Sequence, residues 1–325
     1  MLNDFLLHAL RPPHHASAVN ILRAAADLRA APRRVCVAIG FLDGVHLGHQ
    51  HVLRQMVADA RQHEALAVAV TFDRHPNSVV APARTPPLVY SLPQKLRAIE
   101  ALGADAALVI PFDRAFSEQS GEAFIRGLAR DFGHIHSICV GASFTFGHRR
   151  GGNVDLLRAL GRELKFLVHG LAAVSLDGDV VSSTRIREAI RAGNLDAASQ
   201  MLGRAYALAG EVVRGDGVGH KLGFPTANLD TTGVALPPNG VYAAHAFVER
   251  REHRAVVNIG VRPTVADSPH AQVEAHLLDF DGDVYGAELE LAFVEKLRDE
   301  QKFESLDALK SQIARDIVSA RGLFA

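Results

Sequence analysis

Two histidines near the start of a helix-like segment are the strongest sign of chemistry in this chain. The run Val35–Ile39 is apolar and partly β-branched, Gly40 follows it, and His46 and His49 come next with Gly48 between them. A helical pattern begins at about His49, and the start of a helix presents unpaired N–H groups and the positive end of its dipole. Imidazole groups there can stabilise charge that develops on a phosphoryl group. The stretch therefore predicts a nucleotide site built for chemistry at a phosphate.

A second polar segment, Ser182-Ser-Thr-Arg-Ile-Arg187, places three hydroxyl groups before a helical pattern. An N-cap explains one hydroxyl at such a position. Three hydroxyls followed by Arg185 and Arg187 exceed what a cap requires, and guanidinium groups suit phosphate, so the segment predicts a phosphate clamp. The basic, glycine-rich run Gly141–Gly152 is open to two interpretations, a solvated connection or a further part of the site.

The second half of the chain has a glycine-rich segment of its own. Four glycines lie from Gly215 to Gly223, and the run Gly-Phe-Pro-Thr-Ala-Asn ends at Asn228. A long hairpin connection explains the glycines, but the run that follows them is more specific than a hairpin needs. The segment lacks the GxxxxGK[ST] pattern, so it is not a P-loop.

Alternation in the strand-like run Val273–Phe280 puts Glu274, His276 and Leu278 on one face. A lone glutamate in a strand is most often a surface residue. Arg298, in the run Leu297–Phe303, is open to two interpretations, a ligand contact or a member of a surface ion pair.

The first half of the chain alternates strand-like and helix-like segments, which predicts a doubly wound, mainly parallel sheet. Ligands bind such sheets at the carboxyl ends of the strands, where the histidine motif falls. The predicted strands are Val35–Ile39, Leu66–Phe72, Ala106–Phe112, Ile135–Val140 and Lys165–His169, and the predicted helices are His49–Ala60, Pro93–Ala101, Gly121–Phe132 and Val154–Gly161.

The pattern changes near residue 200. After helices predicted over Ser183–Ala192 and Leu195–Leu202, strands follow one another without helices between them, which indicates an antiparallel barrel or sandwich. A final helix is predicted at about Ser305–Ala320. We assign residues 1–190 to an N-terminal domain and residues 200–325 to a C-terminal domain. The predicted strands are Tyr206–Arg214, Val241–Glu249, Ala255–Ile259, Val273–Phe280 and Glu288–Leu297.

Length, net charge and cysteine content indicate what kind of protein this is. A length of 325 residues favours two domains, and a formal net charge of −1 gives no support for a large basic surface that binds nucleic acid. Cys36 and Cys139 lie in apolar runs, which predicts buried, reduced thiols and a cytoplasmic protein. No stretch approaches the roughly 20 apolar residues of a membrane span, and the N-terminus lacks the features of a signal peptide.

Together these motifs resemble the bacterial bifunctional riboflavin kinase/FMN adenylyltransferase (FAD synthetase) family, over almost the whole chain. The resemblance implies a Rossmann-like, nucleotidyltransferase-like α/β domain followed by a riboflavin kinase β-barrel with a terminal helix. It implies that the histidine pair contacts the ATP phosphates and stabilises the transition state, that the Ser182–Arg187 segment holds the leaving pyrophosphate, and that FMN attacks the α-phosphate directly. The residues implied for this domain are His46 and His49 as catalytic residues, Gly40, Asp43, Gly48, Ser182, Ser183, Thr184 and Arg187 as nucleotide- or phosphate-binding residues, and Phe144 as a flavin contact.

In the second domain the run from Gly223 matches the family signature G-[FI]-P-T-A-N at every position. The resemblance implies that Thr226 and Asn228 hold Mg²⁺ and the ATP phosphates while the glycine loop folds over them. Glu274 matches the family's catalytic base, which takes a proton from the acceptor hydroxyl, and Arg298 is a candidate flavin contact. The further ATP-binding residues implied here are Gly215, Gly219, Gly223 and Pro225.

The chain departs from the family pattern at Leu42, Arg74 and Ser143, all in the first domain. The family usually has Phe, Pro, and Asp or Asn there. Two alternatives stay open: a riboflavin kinase whose N-terminal domain is impaired or uses another nucleotide, and a flavin or nucleotide sensor that does no catalysis. An aminoacyl-tRNA synthetase fragment fits less well, because the chain lacks a basic surface and a lysine-rich loop. The expected partners are the small molecules ATP, riboflavin and FMN, with neither nucleic acid nor membrane, and the oligomeric state is not predicted.

Overall fold

A parallel sheet fills the centre of the first half of the chain. The computed structural model describes residues 19–28, 34–215, 217–249, 251–262 and 270–324. These residues form two compact units, one that ends at Arg185 and one that begins at Ile186. The strands of the first sheet are β1 (Asn20–Leu22), β2 (Val35–Ile39), β3 (Leu66–Phe72), β4 (Ala106–Ile110), β5 (Ile135–Gly141) and β6 (Leu167–Leu171). They pair in parallel in the order β1-β4-β3-β2-β5-β6.

Helices cover both faces of this sheet, so the prediction of a doubly wound fold is confirmed. They are α1 (Leu47–Gln62), α2 (Asn77–Val80), α3 (Leu92–Glu100), α4 (Arg114–Ser117), α5 (Gly121–Phe132) and α6 (Val154–Leu164). Alternate residues of the central strand β2 reach two separate cores. Val37 packs in the core that includes Phe124 of α5, whereas Ala38 packs in the core that includes Leu53 of α1.

Several boundaries differ from the prediction for local physical reasons. Lys165 adopts a left-handed conformation, with φ of 67°, and ends α6, so β6 begins two residues later than predicted, at Leu167. Helix α1 begins earlier than predicted because His46 serves as its N-cap. Strand β1 and a small antiparallel ribbon, β7 (Ser175–Leu176) with β8 (Asp179–Val180), were not predicted.

The second unit contains a closed barrel of six antiparallel strands, in the order β10-β13-β12-β11-β14-β9. Of the two architectures left open by the residue pattern, the barrel is therefore the one present. Its strands are β9 (Ala207–Val213), β10 (Ala227–Leu229), β11 (Gly240–Val248), β12 (Arg251–Arg262), β13 (His270–Leu277) and β14 (Glu288–Arg298), and the helices outside the first sheet are α7 (Ser183–Arg191), α8 (Leu195–Leu202), α9 (Val218–Leu222) and α10 (Leu306–Leu323).

Both cysteines are buried and neither forms a disulfide, as predicted. Burial raises the pKa of the Cys139 thiol to about 12, so this group stays protonated near neutral pH. Among the described residues, no helix has both the length and the apolarity needed to cross a bilayer.

The terminal helix α10 packs on the outside of the barrel. Ala320 and Ile317 contact the apolar outer residues Val241 and Val256. A charged pair adds to this packing, because the Arg298 guanidinium of β14 donates to the Asp316 carboxylate of α10 at 2.8–3.1 Å. Asp316 is only 5% exposed.

We expect Asp316→Ala to lower the free energy of unfolding by about 2–3 kcal/mol, because it leaves the half-covered Arg298 charge without its carboxylate. Urea denaturation followed by circular dichroism measures the change. Asp307→Ala, which removes an exposed carboxylate from the first turn of the same helix, should cost no more than about 1 kcal/mol. Equal losses in the two variants would contradict a stabilising role for the pair.

Candidate active sites

The turn between β2 and α1 carries the histidine motif on a left-handed backbone. Leu42, Gly44 and Val45 have φ angles of 56°, 74° and 42°. Such angles suit glycine but strain a leucine and, still more, a β-branched valine. Strained backbone persists only where surrounding contacts hold it in place. Contacts from other elements must therefore fix this turn.

Side-chain donors fix the turn through its carbonyl groups. The Phe41 carbonyl accepts a hydrogen bond from Thr71 Oγ1 of β3 at 2.9 Å, and the Val45 carbonyl accepts one from Gln50 Nε2 of α1 at 3.0 Å. Because a peptide group is planar, fixing its carbonyl also fixes the direction of its N–H. These two hydrogen bonds thereby hold the peptide groups of the turn in one orientation.

Asp43 ties the same turn to two distant segments. Its side chain Oδ1 accepts hydrogen bonds from the backbone N–H groups of Val89 and Tyr90, at 2.9 and 3.3 Å. Its own carbonyl accepts a hydrogen bond from Ser183 Oγ at 3.0 Å. Asp43 is 2% exposed. Its contacts with the protein make it a brace for the turn, and the phosphate-binding role proposed from the sequence stays a prediction.

The two histidine rings lie against each other at the start of α1. Their centroids are 3.7 Å apart and their planes are inclined by 21°. His46 Nδ1 accepts the backbone N–H of His49 at 3.4 Å, so in the neutral ring Nε2 is the nitrogen that carries the proton. Gly48 leaves room for this arrangement, since a Cβ there would lie 3.2 Å from His46 Cε1.

The start of α7 reaches the histidine turn, and the phosphate clamp stays a prediction. Ser183 provides the contact through its bond to the Asp43 carbonyl. Ser182 acts as a cap, because its Oγ accepts the backbone N–H of Arg185 at 3.3 Å. The Arg185 guanidinium donates to the carbonyl groups of the β7–β8 ribbon and so has a structural task.

Two other residues of this segment differ in exposure. Thr184 is exposed, whereas Arg187 is 9% exposed. Arg187 follows Ser183 by four residues, which puts both on one face of α7. Arg187 lies in the part of α7 that belongs to the second unit.

The three departures from the family pattern lie in different surroundings. Leu42 is 2% exposed and belongs to the core beneath α1, where a Cβ on Gly40 would lie 3.1 Å from Leu42 Cδ2. This departure therefore concerns core packing. Arg74 and Ser143 are exposed, and Arg74 is paired with Asp73 at 2.8 Å.

Six phenylalanines contact one another in series near the carboxyl ends of β3, β4 and β5. Neighbouring rings in the series have centroids 5.2–6.4 Å apart. We call the group the phenylalanine edge, and its members are Phe72, Phe112, Phe116, Phe124, Phe144 and Phe146. Phe144 was the only one singled out from the sequence. It stacks on Phe146 and is itself half-buried.

Sequence reasoning missed Lys95. This residue of α3 is 4% exposed, and its Nζ donates to the carbonyl groups of Phe72 and Phe41 at 2.7 and 3.3 Å. Burial lowers its pKa to about 8. A signal was present, because Lys95 shares a helix face with the apolar Leu92 and Ile99, where a charge is out of place.

In the barrel, three polar residues form one row across adjacent strands. Asn228 of β10 pairs with Glu274 of β13, and Glu274 pairs with Asn258 of β12. Paired residues lie side by side on the same face of a sheet. Val273 and Ala275 belong to the apolar interior of the barrel, so the row lies on its outer face.

The two side chains that flank Glu274 along β13 tie it to the GFPTAN segment. Gln272 Nε2 lies 2.6 Å from Asn228 Oδ1 and 2.7 Å from Glu274 Oε1. His276 Nδ1 donates to the Pro225 carbonyl at 2.8 Å. Gln272 was not singled out from the sequence, although the alternation that pointed to Glu274 and His276 includes it.

The glycines before the GFPTAN segment let the backbone of their loop lie directly against its side chains. A Cβ on Gly215 would overlap the Asn228 side chain, and a Cβ on Gly219 would lie 3.0 Å from Thr226 Oγ1. The predicted loop is partly helical, since Val218–Leu222 forms α9, which ends at Gly223 with φ of 87°. The segment thus brings glycine backbone against both predicted metal ligands.

Of the two roles considered for Arg298, the structure shows an ion pair, which it forms with Asp316. Its partner Asp316 is buried, so the pair is not a surface one. The guanidinium also donates to the Asp299 carbonyl at 3.0 Å and lies 5.8 Å from the Phe303 ring centroid. A flavin contact by Arg298 stays a prediction.

Comparisons with known proteins match a family to each of the two parts of the chain. The FAD synthetase family model matches residues 28–185, and the riboflavin kinase family model matches residues 202–324. A bifunctional riboflavin kinase/FMN adenylyltransferase of Escherichia coli K12 is 36% identical over 94% of this chain and 98% of its own length. This chain belongs to the bifunctional riboflavin kinase/FMN adenylyltransferase family. The relatives of the same name from Pseudomonas fluorescens and Haemophilus influenzae are 36% and 35% identical over 94% and 89% of this chain, and 98% and 94% of their own lengths.

A solved structure supports the family's two-part fold. The crystal structure of a protein described as a macrolide-efflux protein from Streptococcus pneumoniae matches with a TM-score of 0.78 and 27% identity, over 94% of this chain and 99% of that one. Both family models match this chain, and the comparisons give no support to a single-activity kinase or to a sensor.

The pKa of Lys95 gives a pH prediction for stability. Below pH 8 the folded and unfolded states both carry the charge, and the burial penalty is complete. Between about 8 and the ordinary 10.5 only the unfolded state keeps the proton, so the penalty disappears as pH rises. Relative to Lys95→Met, the wild type should gain about 2–3 kcal/mol of unfolding free energy from pH 7.5 to pH 10. Urea denaturation of both proteins at both pH values measures this change. If the difference in unfolding free energy between wild type and Lys95→Met is the same at pH 7.5 and pH 10, the pKa of Lys95 is not lowered.

Proposed function

We propose that this chain makes FAD from riboflavin in two steps. The C-terminal domain, residues 200–325, transfers the γ-phosphoryl group of ATP to riboflavin, which gives FMN and ADP. The N-terminal domain, residues 1–190, transfers the adenylyl group of a second ATP to FMN, which gives FAD and pyrophosphate. The observation that carries the proposal is that each unit has a polar site of its own, the histidine turn in one and the Asn228–Glu274 row in the other.

In the kinase step Glu274 takes the proton of the acceptor hydroxyl. The hydroxyl oxygen bonds to the γ-phosphorus of ATP, the bond from that phosphorus to the bridging oxygen breaks, and ADP leaves. The neighbouring Gln272 supports this role, since its bond at 2.7 Å holds the Glu274 carboxylate in one orientation. His276 holds the GFPTAN segment beside it.

We assign Mg²⁺ to the side chains of Thr226 and Asn228. A hydroxyl and an amide oxygen suit this hard cation, which takes its other ligands from water and nucleotide phosphates. The close approach of Gly215 and Gly219 supports the assignment, because backbone without side chains can reach the phosphates. The described residues contain no cluster of three or more His, Cys, Asp or Glu side chains that could hold a metal. Bound there, Mg²⁺ neutralises charge on the phosphates.

In the adenylyl step a phosphate oxygen of FMN attacks the α-phosphorus of ATP, and pyrophosphate leaves without a covalent enzyme intermediate. His46, through Nε2, and His49 donate to the phosphate oxygens on which charge develops. The N-terminus of α1 adds its dipole. Ser183 and Arg187, one turn apart on α7, hold the pyrophosphate. The bond from Ser183 to Asp43 supports this scheme, because it brings the second segment to the first.

We place the flavin of the adenylyl step against the phenylalanine edge, at Phe144. Phe144 is half-buried and stacks on the buried Phe146, so its ring offers the flat apolar surface that an isoalloxazine needs. For the kinase step we propose Arg298 as a flavin contact, since its guanidinium lies 5.8 Å from the Phe303 ring centroid.

The substrates we propose are all small molecules, ATP, riboflavin and FMN, and the proposed location is the cytoplasm. The buried, unpaired thiols of Cys36 and Cys139 support that location. A net charge of −1 supports a protein that does not bind nucleic acid.

Product analysis tests the proposal. Purified protein is incubated with riboflavin, Mg²⁺ and each nucleoside triphosphate in turn, and the flavins are separated by chromatography. We expect FMN to form first and FAD to follow with ATP. FMN without FAD would identify a kinase with an inactive N-terminal domain. Tight flavin binding without any product would identify a sensor.

Single substitutions should separate the two steps. His49→Ala should lower FAD formation from FMN by at least about 10²-fold and leave riboflavin phosphorylation unchanged. Glu274→Ala should do the reverse, by about 10²–10⁴-fold, because it removes the base. Steady-state rates of both steps are measured for each variant. A variant that alters both steps or neither would refute the assignment of that residue.

Gly48→Ala tests the packing of the histidine pair. The added methyl meets the His46 ring at 3.2 Å, so we expect FAD formation to fall at least tenfold with no loss of thermal stability. Gly127→Ala on α5 is the matched control, since a Cβ there meets nothing within 4 Å. The control should keep full activity and gain up to about 1 kcal/mol. Full activity of Gly48→Ala would refute a need for the stacked geometry.

A further inference from the structure

The buried ammonium of Lys95 lies at the point where the two central strands of the first sheet end. It donates to the carbonyl of Phe72, the last residue of β3, and to that of Phe41, two residues beyond the end of β2. β2 and β3 are neighbours in the sheet. One side chain therefore links the two chain segments that leave the carboxyl edge, where ligands of such sheets bind.

Lys95 also reaches the strained turn itself. Its Nζ lies 4.7 Å from the centroid of the Phe41 ring, and it shares the Phe41 carbonyl with Thr71. The left-handed residues Leu42, Gly44 and Val45 follow directly. Lys95 is thus attached to the peptide group from which the strained turn starts.

A cation is costly in this position. Burial lowers the pKa of Lys95 to about 8, while the carboxylates of Asp43 and Asp73 act in the opposite direction. An apolar residue would fill the same space without that penalty. What the ammonium supplies is charge-assisted hydrogen bonding, about twice as strong as neutral hydrogen bonding, to two carbonyl groups at the edge of a site for phosphates.

We propose that Lys95 is a positioning residue for adenylyl transfer, whose ammonium holds the ends of β2 and β3 together and keeps the histidine turn in the conformation that receives ATP. The proposal rests on the function proposed above for the N-terminal domain. Lys95 acts through the turn, since its bonds run to carbonyl groups of the protein.

The test uses the full-length chain and three variants. Lys95→Met keeps the length of the side chain without charge, Lys95→Arg keeps a charge at every pH used, and Arg130→Met removes an exposed cation from the same unit. For each, kcat and KM for ATP are measured for FMN adenylylation and for riboflavin phosphorylation, from pH 6.5 to 9.5. The charged or titratable groups near Lys95 are Asp43, the Asp73–Arg74 pair and His75, which packs on Phe41. They are present in every variant.

At pH 7 we expect Lys95→Met to lower kcat/KM for adenylylation at least tenfold, with phosphorylation within twofold of the wild type. The ratio of wild type to Lys95→Met should fall below about threefold by pH 9.5, because the wild-type lysine has then lost its charge. Arg130→Met should match the wild type throughout. A ratio that stays constant with pH would overturn the proposal, since a merely structural loss does not follow the lysine's titration.

Lys95→Arg keeps the proposal testable if Lys95→Met fails to fold. Its adenylylation rate relative to the wild type should rise from pH 7 to pH 9.5, because only the wild type loses charge. A relative rate that does not change would overturn the proposal. If the wild type forms no FAD at any pH, the proposed function itself is wrong, and this outcome is distinct from FAD formation that is unaffected by Lys95.

Discussion

The strained turn between β2 and α1 is the constraint on which the proposed chemistry of the first unit depends. Positive φ angles at Leu42 and Val45 cost free energy that the turn cannot recover by itself. Hydrogen bonds from β3, α3 and α7 to its carbonyl groups offset the cost. The order of the strands places the strained turn at the centre of the sheet edge, because β2 lies between β3 and β5. Local strain, hydrogen bonds from distant segments and strand order therefore all fix the position of this one turn.

In the barrel, the alternation of residues along each strand determines where the polar groups lie. Six strands close around an interior of buried apolar side chains. The polar residues Asn228 and Glu274 alternate with these apolar residues and lie on the outward half of their strands. One stretch of that outer surface is used by α10, through Ala320 and Asp316, and another by the row that includes Asn228 and Glu274. Along β13, for example, the alternation puts Val273 and Ala275 in the apolar core and Glu274 on the outer face.

Sequence alone could predict the parts of this molecule that depend on local pattern. The bounds of β2, β3 and α5 were predicted to the residue, because apolar runs and capping residues such as Ser120 mark them. The parts that depend on distant partners were not predictable. Nothing near Lys95 in the chain indicates that its ammonium bonds to Phe41 and Phe72, and nothing near Arg298 indicates Asp316 as its partner. Strand β10 has only three residues and forms because it pairs with β13, which is distant in the chain. The sequence pattern therefore indicated only a loop there.

The bond between Ser183 and Asp43 spans 140 residues of chain. Contacts of such long sequence separation form late, because the chain between them must first be ordered. During synthesis on the ribosome, the turn leaves the exit tunnel long before its last brace exists. The sheet and α1 can assemble from the earlier residues, but the Asp43 carbonyl gains its partner only when the start of α7 emerges. A nascent chain that stops short of Ser183 therefore lacks the hydrogen bond that braces Asp43.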